Sequence, residues 1–163
     1  METADKVKTT PSNEEQMIVF YLDKELFGID ISYVNEIIEL PSMNVVPRSP
    51  KFIAGVINNH GRIVAVQDLA AFFNLSPGAN SSQARIIELV PGEFQIAFLV
   101  TKVKGITPVA AESEEVNPMK GDDFKNIYID KVVYLEKDLI NIIDVNKLLV
   151  DLEDYFKEVN LEH

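Results

Sequence analysis

The chain has 163 residues, a hydrophobic fraction of 47% and no cysteine. That is enough apolar material for one domain or two small subdomains sharing a core, and it excludes disulfides, thiolate nucleophiles and zinc–thiolate sites. The formal charge of −11 is unevenly spread: residues 1–15 carry −2, 110–123 carry −4 and 150–163 carry −4, which leaves −1 for the body. A nucleic-acid partner is excluded by that balance, because phosphate binding needs a basic footprint to release counterions.

Residues 1–15 are polar and mixed in charge, and they read as a flexible tail, neither a signal peptide nor an amphipathic anchor. Met17–Leu22 and Leu26–Ile31 are short branched and aromatic runs joined by Asp23-Lys24-Glu25, the pattern of a strand pair. Pro41 interrupts an Ile- and Val-rich stretch, and Val45-Val-Pro-Arg-Ser-Pro50 reads as extended. Phe52–Ile57 and Arg62–Val66 form a hairpin around Asn58-Asn59-His60-Gly61, where the asparagines and the glycine tolerate left-handed conformations. Asp68 then stands where it can cap a short helix with Leu69, Phe72 and Phe73 on one face.

Ser76-Pro-Gly-Ala-Asn-Ser-Ser82 has the composition of a linker. Ala84–Val90, the turn Pro91-Gly92-Glu93, and Phe94–Thr101 make a second strand pair, and Val103–Val109 a further strand. Residues 110–123 are acidic, with little regular structure expected. Val132–Leu135 and Leu139–Ile143 form the last hairpin, and Asp144 caps a helix over Val145–Phe156. Residues 151–160 extend that helix, and 161–163 read as a tag remnant. No apolar run approaches the roughly 20 residues of a membrane span, so direct membrane insertion is not expected and a cytoplasmic location is.

The order of elements repeats. Each half opens with a strand pair and closes with a hairpin, an aspartate and a helix, and Asp68-Leu69-x-x-Phe72-Phe73 aligns with Asp144-Val145-x-x-Leu148-Leu149. A mainly β fold follows, with two similar subdomains at 16–80 and 81–150. Units of this size need to close into barrels to hide their edge strands, and to pack together for a sufficient core. A strand of one can complete the other.

Catalytic equipment is sparse. His60 is the one histidine outside the terminal tripeptide, and no second histidine or cysteine joins it in a metal set. Asp130, Asp138 and Asp144 lack the spacing of a calcium loop, and no serine lies in Gly-x-Ser-x-Gly. Phosphate-loop and dinucleotide glycine motifs are also missing. Glu36 and Asp68 are one carboxylate pair that folding can bring together, though nothing in their spacing requires it. No enzyme, cofactor or metal is expected. Val34, Ile37 and Val56 belong to apolar runs whose plain role is core, yet two barrels side by side leave a groove that can accept a partner helix or strand. Arg48, Lys51 and Arg62 are rim candidates.

Phe20-Tyr-Leu, Phe27-Gly-Ile-Asp-Ile31, Val34-Asn-Glu-Ile37, Val46-Pro-Arg-Ser-Pro-Lys-Phe-Ile-Ala-Gly-Val-Ile-Asn58 and Gly61-Arg-Ile-Val-Ala-Val-Gln-Asp-Leu69 occur in that order. Together with Val100–Pro108 and Leu139–Asp144, they resemble the CheW-like family of chemotaxis coupling proteins over about residues 16–150. The resemblance implies two five-stranded SH3-like β-barrels packed side by side, with short helices and a C-terminal helix. It also implies a non-catalytic adaptor whose first barrel meets the regulatory domain of a histidine kinase, and whose inter-barrel groove receives chemoreceptor tips. Glu36, Gly55 and Asn58 match family positions. His60 stands where the family's Asn-Leu-Arg-Gly pattern has arginine, Asn59 replaces its leucine, and Ala65 replaces a common proline. A guanidinium is a permanent cation with a fixed fork, and an imidazole is neither, so Arg62 is the expected partial substitute. The partner-binding residues expected are therefore Glu36, Gly55, Asn58, His60 and Arg62. Two rivals share the frame: a scaffold for a non-chemotactic kinase pathway, and a small-molecule sensor, which needs a closed pocket.

Overall fold

In the computed structural model, residues 14–92, 94–110, 115–116 and 124–161 are described. The first half contributes β1 (Glu14–Leu22), β2 (Glu25–Asp30), β3 (Val34–Glu39), β4 (Ile53–Asn59), β5 (Arg62–Asp68) and helix α1 (Leu69–Phe72). The second contributes β6 (Arg85–Leu89), β7 (Ile96–Val100), β8 (Lys102–Ala110), β9 (Glu115–Val116), β10 (Ile129–Leu135), β11 (Asp138–Ile143) and helix α2 (Val145–Leu161). The fold is mainly β, as the alternating apolar runs require.

Two sheets form, in the orders β9-β10-β11-β2-β1-β8 and β4-β5-β7-β6-β3. Without β9 the two rows are topologically the same. Each begins with an antiparallel closing hairpin, β10–β11 or β4–β5. A parallel contact, β11–β2 or β5–β7, joins it to an antiparallel opening hairpin, β1–β2 or β6–β7. A last antiparallel strand, β8 or β3, completes the row. The first sheet has six strands instead of the expected five because Glu115 and Val116 pair with Val133 and Val132. The rest of the acidic 111–123 segment lies outside the described residues, as do the 1–13 tail and residues 162 and 163.

Both sheets draw on both halves of the chain. The opening hairpin of each half is lodged beside the closing hairpin of the other, which is strand exchange on the scale of a whole hairpin. The segment with linker composition is accordingly anchored. Asp68 Oδ1 accepts from Gly78 N at 2.9 Å and Asp68 Oδ2 from Ala79 N at 3.1 Å, while Ser81 Oγ donates to the Thr101 carbonyl at 2.8 Å.

Three apolar clusters match this arrangement. One lies within the first sheet (Met17, Val19, Leu26, Val109, Val133, Ile140, Ile142), and another within the second (Ile57, Val64, Val66, Ala84, Ile86, Ala97, Leu99). The largest lies between the sheets and includes Phe20, Phe27, Phe98, Leu69, Phe73 and Leu148. Helix α2 seals it, with Val145, Leu148 and Leu152 buried, Tyr155 against Phe52 and Phe156 against Phe94. The two helices start alike: Asp68 Oδ1 accepts from Ala71 N at 3.2 Å, and Asp144 Oδ1 accepts from Lys147 N at 3.1 Å.

Candidate partner-binding site

Strands β4 and β5 are joined by two residues, since Asn59 pairs with Arg62. His60 and Gly61 both have positive φ, 55° and 83°, the requirement of the turn that matches strand twist. The left-handed positions therefore fall on His60 and Gly61, while Asn58 and Asn59 remain in the strand. That frees both asparagine side chains. Asn58 Oδ1 accepts from Gly61 N at 2.9 Å and fastens the turn. Asn59 points inward, where its Nδ2 donates to Glu88 Oε1 at 2.6 Å and to Glu36 Oε1 at 3.1 Å.

Glu88 is the residue that sequence reasoning missed. It lies on β6, directly across from Glu36 on β3, and is 0% exposed. A carboxylate in such a position needs a charged partner or it would neutralise. Arg62 supplies one: its Nη2 is 2.8 Å from Glu88 Oε2. His60 is 69% exposed, with Nε2 3.6 Å from Glu36 Oε2, too long for a good hydrogen bond. The carboxylate that meets Glu36 is thus Glu88, while Asp68 is used in capping. A signal was available, since Glu88 stands alone in the apolar run Ile86–Val90 with the strand parity of buried Ile86.

The other expected residues divide by what they touch. Gly55 has φ +153°, and a Cβ there would lie 2.7 Å from the Asn44 carbonyl oxygen. Its bareness lets the segment after β3 bridge to Val56, with Asn44 N donating to the Val56 carbonyl at 3.0 Å and Val56 N to the Asn44 carbonyl at 2.9 Å. Val34 packs against the core between the sheets, Ile37 is exposed, and Val56 is half-buried. Arg48 and Lys51 are exposed. The structure thus gathers Glu36, Asn59, His60, Arg62 and Glu88 into one network and leaves the apolar candidates apart.

This network is suited to holding geometry and displaying charge. His60 is on an exposed turn, so no buried acid–base constellation surrounds it. Among the described residues, no three histidine or carboxylate side chains are grouped to hold a metal, and no helix is long and apolar enough to cross a membrane. A recess of about 220 Å³ opens beside Glu15, Asp30, Asp130 and Asp144. It is below the roughly 300–1,000 Å³ of ordinary small-molecule sites, and Lys131 lies among the carboxylates that line it.

The CheW-like domain profile matches residues 16–153. The chemotaxis protein CheW of Bacillus subtilis is 28% identical over 135 residues, 83% of this chain and 86% of that protein. Its counterpart from Thermotoga maritima is 26% identical over 142 residues, 85% of this chain and 90% of that protein. The crystal structure of the scaffolding protein TtCheW from Thermoanaerobacter tengcongensis superposes with a TM-score of 0.73 at 26% identity, covering 86% of this chain and 90% of that one. The chain belongs to the CheW-like domain family, and with it to the non-catalytic adaptors of chemotaxis.

Proposed function

We propose that this chain couples the cytoplasmic tips of chemoreceptors to the regulatory domain of a CheA-type histidine kinase, in the cytoplasm and at membrane-associated receptor arrays. The observation that carries this reading is the network at the β4–β5 turn. It fixes Glu36, His60 and Arg62 at a partly exposed rim (side-chain exposures 36%, 69% and 38%), as a docking surface demands. Glu36, Gly55, Asn58, His60 and Arg62 form the kinase-side surface: Gly55 and Asn58 shape the backbone, and the charged groups face the partner. Receptor tips lie in the groove between the sheets, where Val34, Ile37 and Val56 contribute.

Each sheet closes as an SH3-like barrel in this reading. Strands lie about 4.8 Å apart, so the edges of a flat five-stranded sheet would be roughly 19 Å apart. Yet Asn59 on β4, one edge, reaches Glu36 on β3, the other, at 3.1 Å. In the first sheet, Val109 of β8 shares a cluster with Val133 of β10, and Lys104 of β8 pairs with Asp138 of β11 at 3.3 Å. The sequence division at 16–80 and 81–150 then marks two equivalent halves that exchange their opening hairpins, with 151–160 as a helical extension.

Binding of the purified chain to the kinase regulatory domain and to a receptor signalling fragment tests the function, measured by calorimetry. Micromolar or tighter affinity for each is expected. A folded chain that binds neither is not a coupling protein. A scaffold for another kinase pathway, favoured by Asn59 and His60 in place of the family's leucine and arginine, would bind that kinase and not the receptor fragment.

A further inference from the structure

We propose that Glu36 is an uncommitted carboxylate that takes an arginine or lysine side chain of the kinase regulatory domain; this rests on the coupling function proposed above. Glu36 and Glu88 face each other across β3–β6, and like charges directly opposite destabilise a sheet unless a cation intervenes. Among the described residues one permanent cation, Arg62, serves the two carboxylates, and the structure commits it to Glu88 at 2.8 Å. Desolvation decides that commitment. Glu88 is fully buried and cannot be satisfied by water, whereas Glu36, with its side chain 36% exposed, can.

Glu36 is left with weak company. Asn59 Nδ2 occupies its Oε1 at 3.1 Å but brings no charge, and it is shared with Glu88. His60 Nε2 is 3.6 Å from Oε2, and an imidazole is not a permanent cation. The network therefore carries one unbalanced negative charge at a partly exposed rim. An Arg or Lys side chain fits this rim, and its burial on docking would complete the second ion pair that the sheet itself leaves open.

The test compares wild type, Glu36→Gln and His60→Arg for binding to the purified kinase regulatory domain at 50 and 500 mM salt, each checked by thermal unfolding. Glu36→Gln keeps an acceptor for Asn59 and removes only the charge. His60→Arg leaves Glu36 in place and gives it a resident cation; Arg48, at φ 60°, shows that arginine accepts the left-handed turn conformation. Both variants are expected to bind roughly tenfold more weakly at low salt, the worth of one charge-assisted pair, and to show a shallower salt dependence. Binding of both within twofold of wild type, with unchanged salt dependence, would overturn the cation assignment and leave coupling standing. Tighter binding by His60→Arg would mean an anionic partner and also overturn it. Wild type that binds no kinase domain removes the coupling function and this inference together.

Discussion

The hairpins β4–β5 and β10–β11 occupy the same place in two topologically matched sheets, yet their turns are built differently. At β10–β11 the turn residues Glu136 and Lys137 are flanked by Leu135 and Asp138, and the hairpin's ion pair, Asp138 with Lys104, lies at the surface with both side chains nearly half exposed. At β4–β5 the flanking residues are Asn59 and Arg62, and both reach inward to a fully buried glutamate. The frame requires neither arrangement, since both sheets form. What differs is the place where charge is fixed: at the surface in one turn, against a buried carboxylate in the other.

Removing the cation on each side breaks this contrast most sharply. Arg62→Leu strands the Glu88 carboxylate in a desolvated site and is expected to cost about 3–5 kcal/mol in urea denaturation. Adding Glu88→Leu should recover most of that loss, because two apolar side chains of similar size replace the pair. Lys104→Ala, at the equivalent surface pair, should cost less than about 1 kcal/mol. Equal losses at the two sites would mean that Glu88 is not held as a buried charge.

The helix caps sharpen the same comparison. Asp68 is 3% exposed and accepts from the backbone of Ala71, Gly78 and Ala79, whereas Asp144 accepts from Lys147 alone in an exposed cap. Asp68→Ala leaves three amides without their acceptor and should cost about 2–4 kcal/mol. Asp144→Ala should cost about 1 kcal/mol, the ordinary worth of a cap. A third difference runs in the stabilising direction. Gln67 on β5 is fully buried, and neither polar atom of its amide has a hydrogen-bond partner among the described residues. Gln67→Leu removes that desolvation cost and should raise stability by about 1 kcal/mol, read as a higher urea midpoint at unchanged slope.

Most strands were legible because residues of alternating or continuous apolar character mark them, and each expected strand was found within a few residues, but Val34–Glu39 and Glu115–Val116 were not expected as strands. The caps were legible too: an aspartate before a short apolar run has few other roles. That a strand of one half can complete the other was foreseeable, but the exchange of whole opening hairpins was not. The continuous apolar run Met17–Leu22 marks a strand buried on both faces, but not whether its neighbour is β8 or β3, because pairing across 80 residues leaves no local trace. The turn was half legible. Asn58-Asn59-His60-Gly61 announced a reversal, but which two residues turn depends on register, and register placed the asparagines in the strand. Glu36, His60 and Arg62 could be named from the sequence. The arrangement that joins them needed Glu88, whose carboxylate is explained only once β6 lies beside β3.

The last expected effect separates the two helices. α1 is a single turn held by its cap, while α2 has a second clip: Tyr128, before β10, donates its hydroxyl to Asp151 Oδ2 at 2.7 Å, and Lys147 lies over the Tyr128 ring at 5.8 Å. Burial, with the Asp151 hydrogen bond and charge behind it, pushes the Tyr128 hydroxyl from 10.0 up to about 12. A raised pKa in the folded state means that the unfolded chain releases this proton first. The clip's contribution is therefore fully present below pH 10 and is lost as pH rises toward 12. Tyr128→Phe keeps the ring and removes both the bond and the titration. At pH 7 it should cost about 1 kcal/mol, and between pH 10 and 12 its stability should fall less steeply than that of the wild type, bringing the two curves together. Parallel curves over that range would show that the hydroxyl titrates alike in folded and unfolded chains, and that α2, like α1, is held by its cap and apolar face alone.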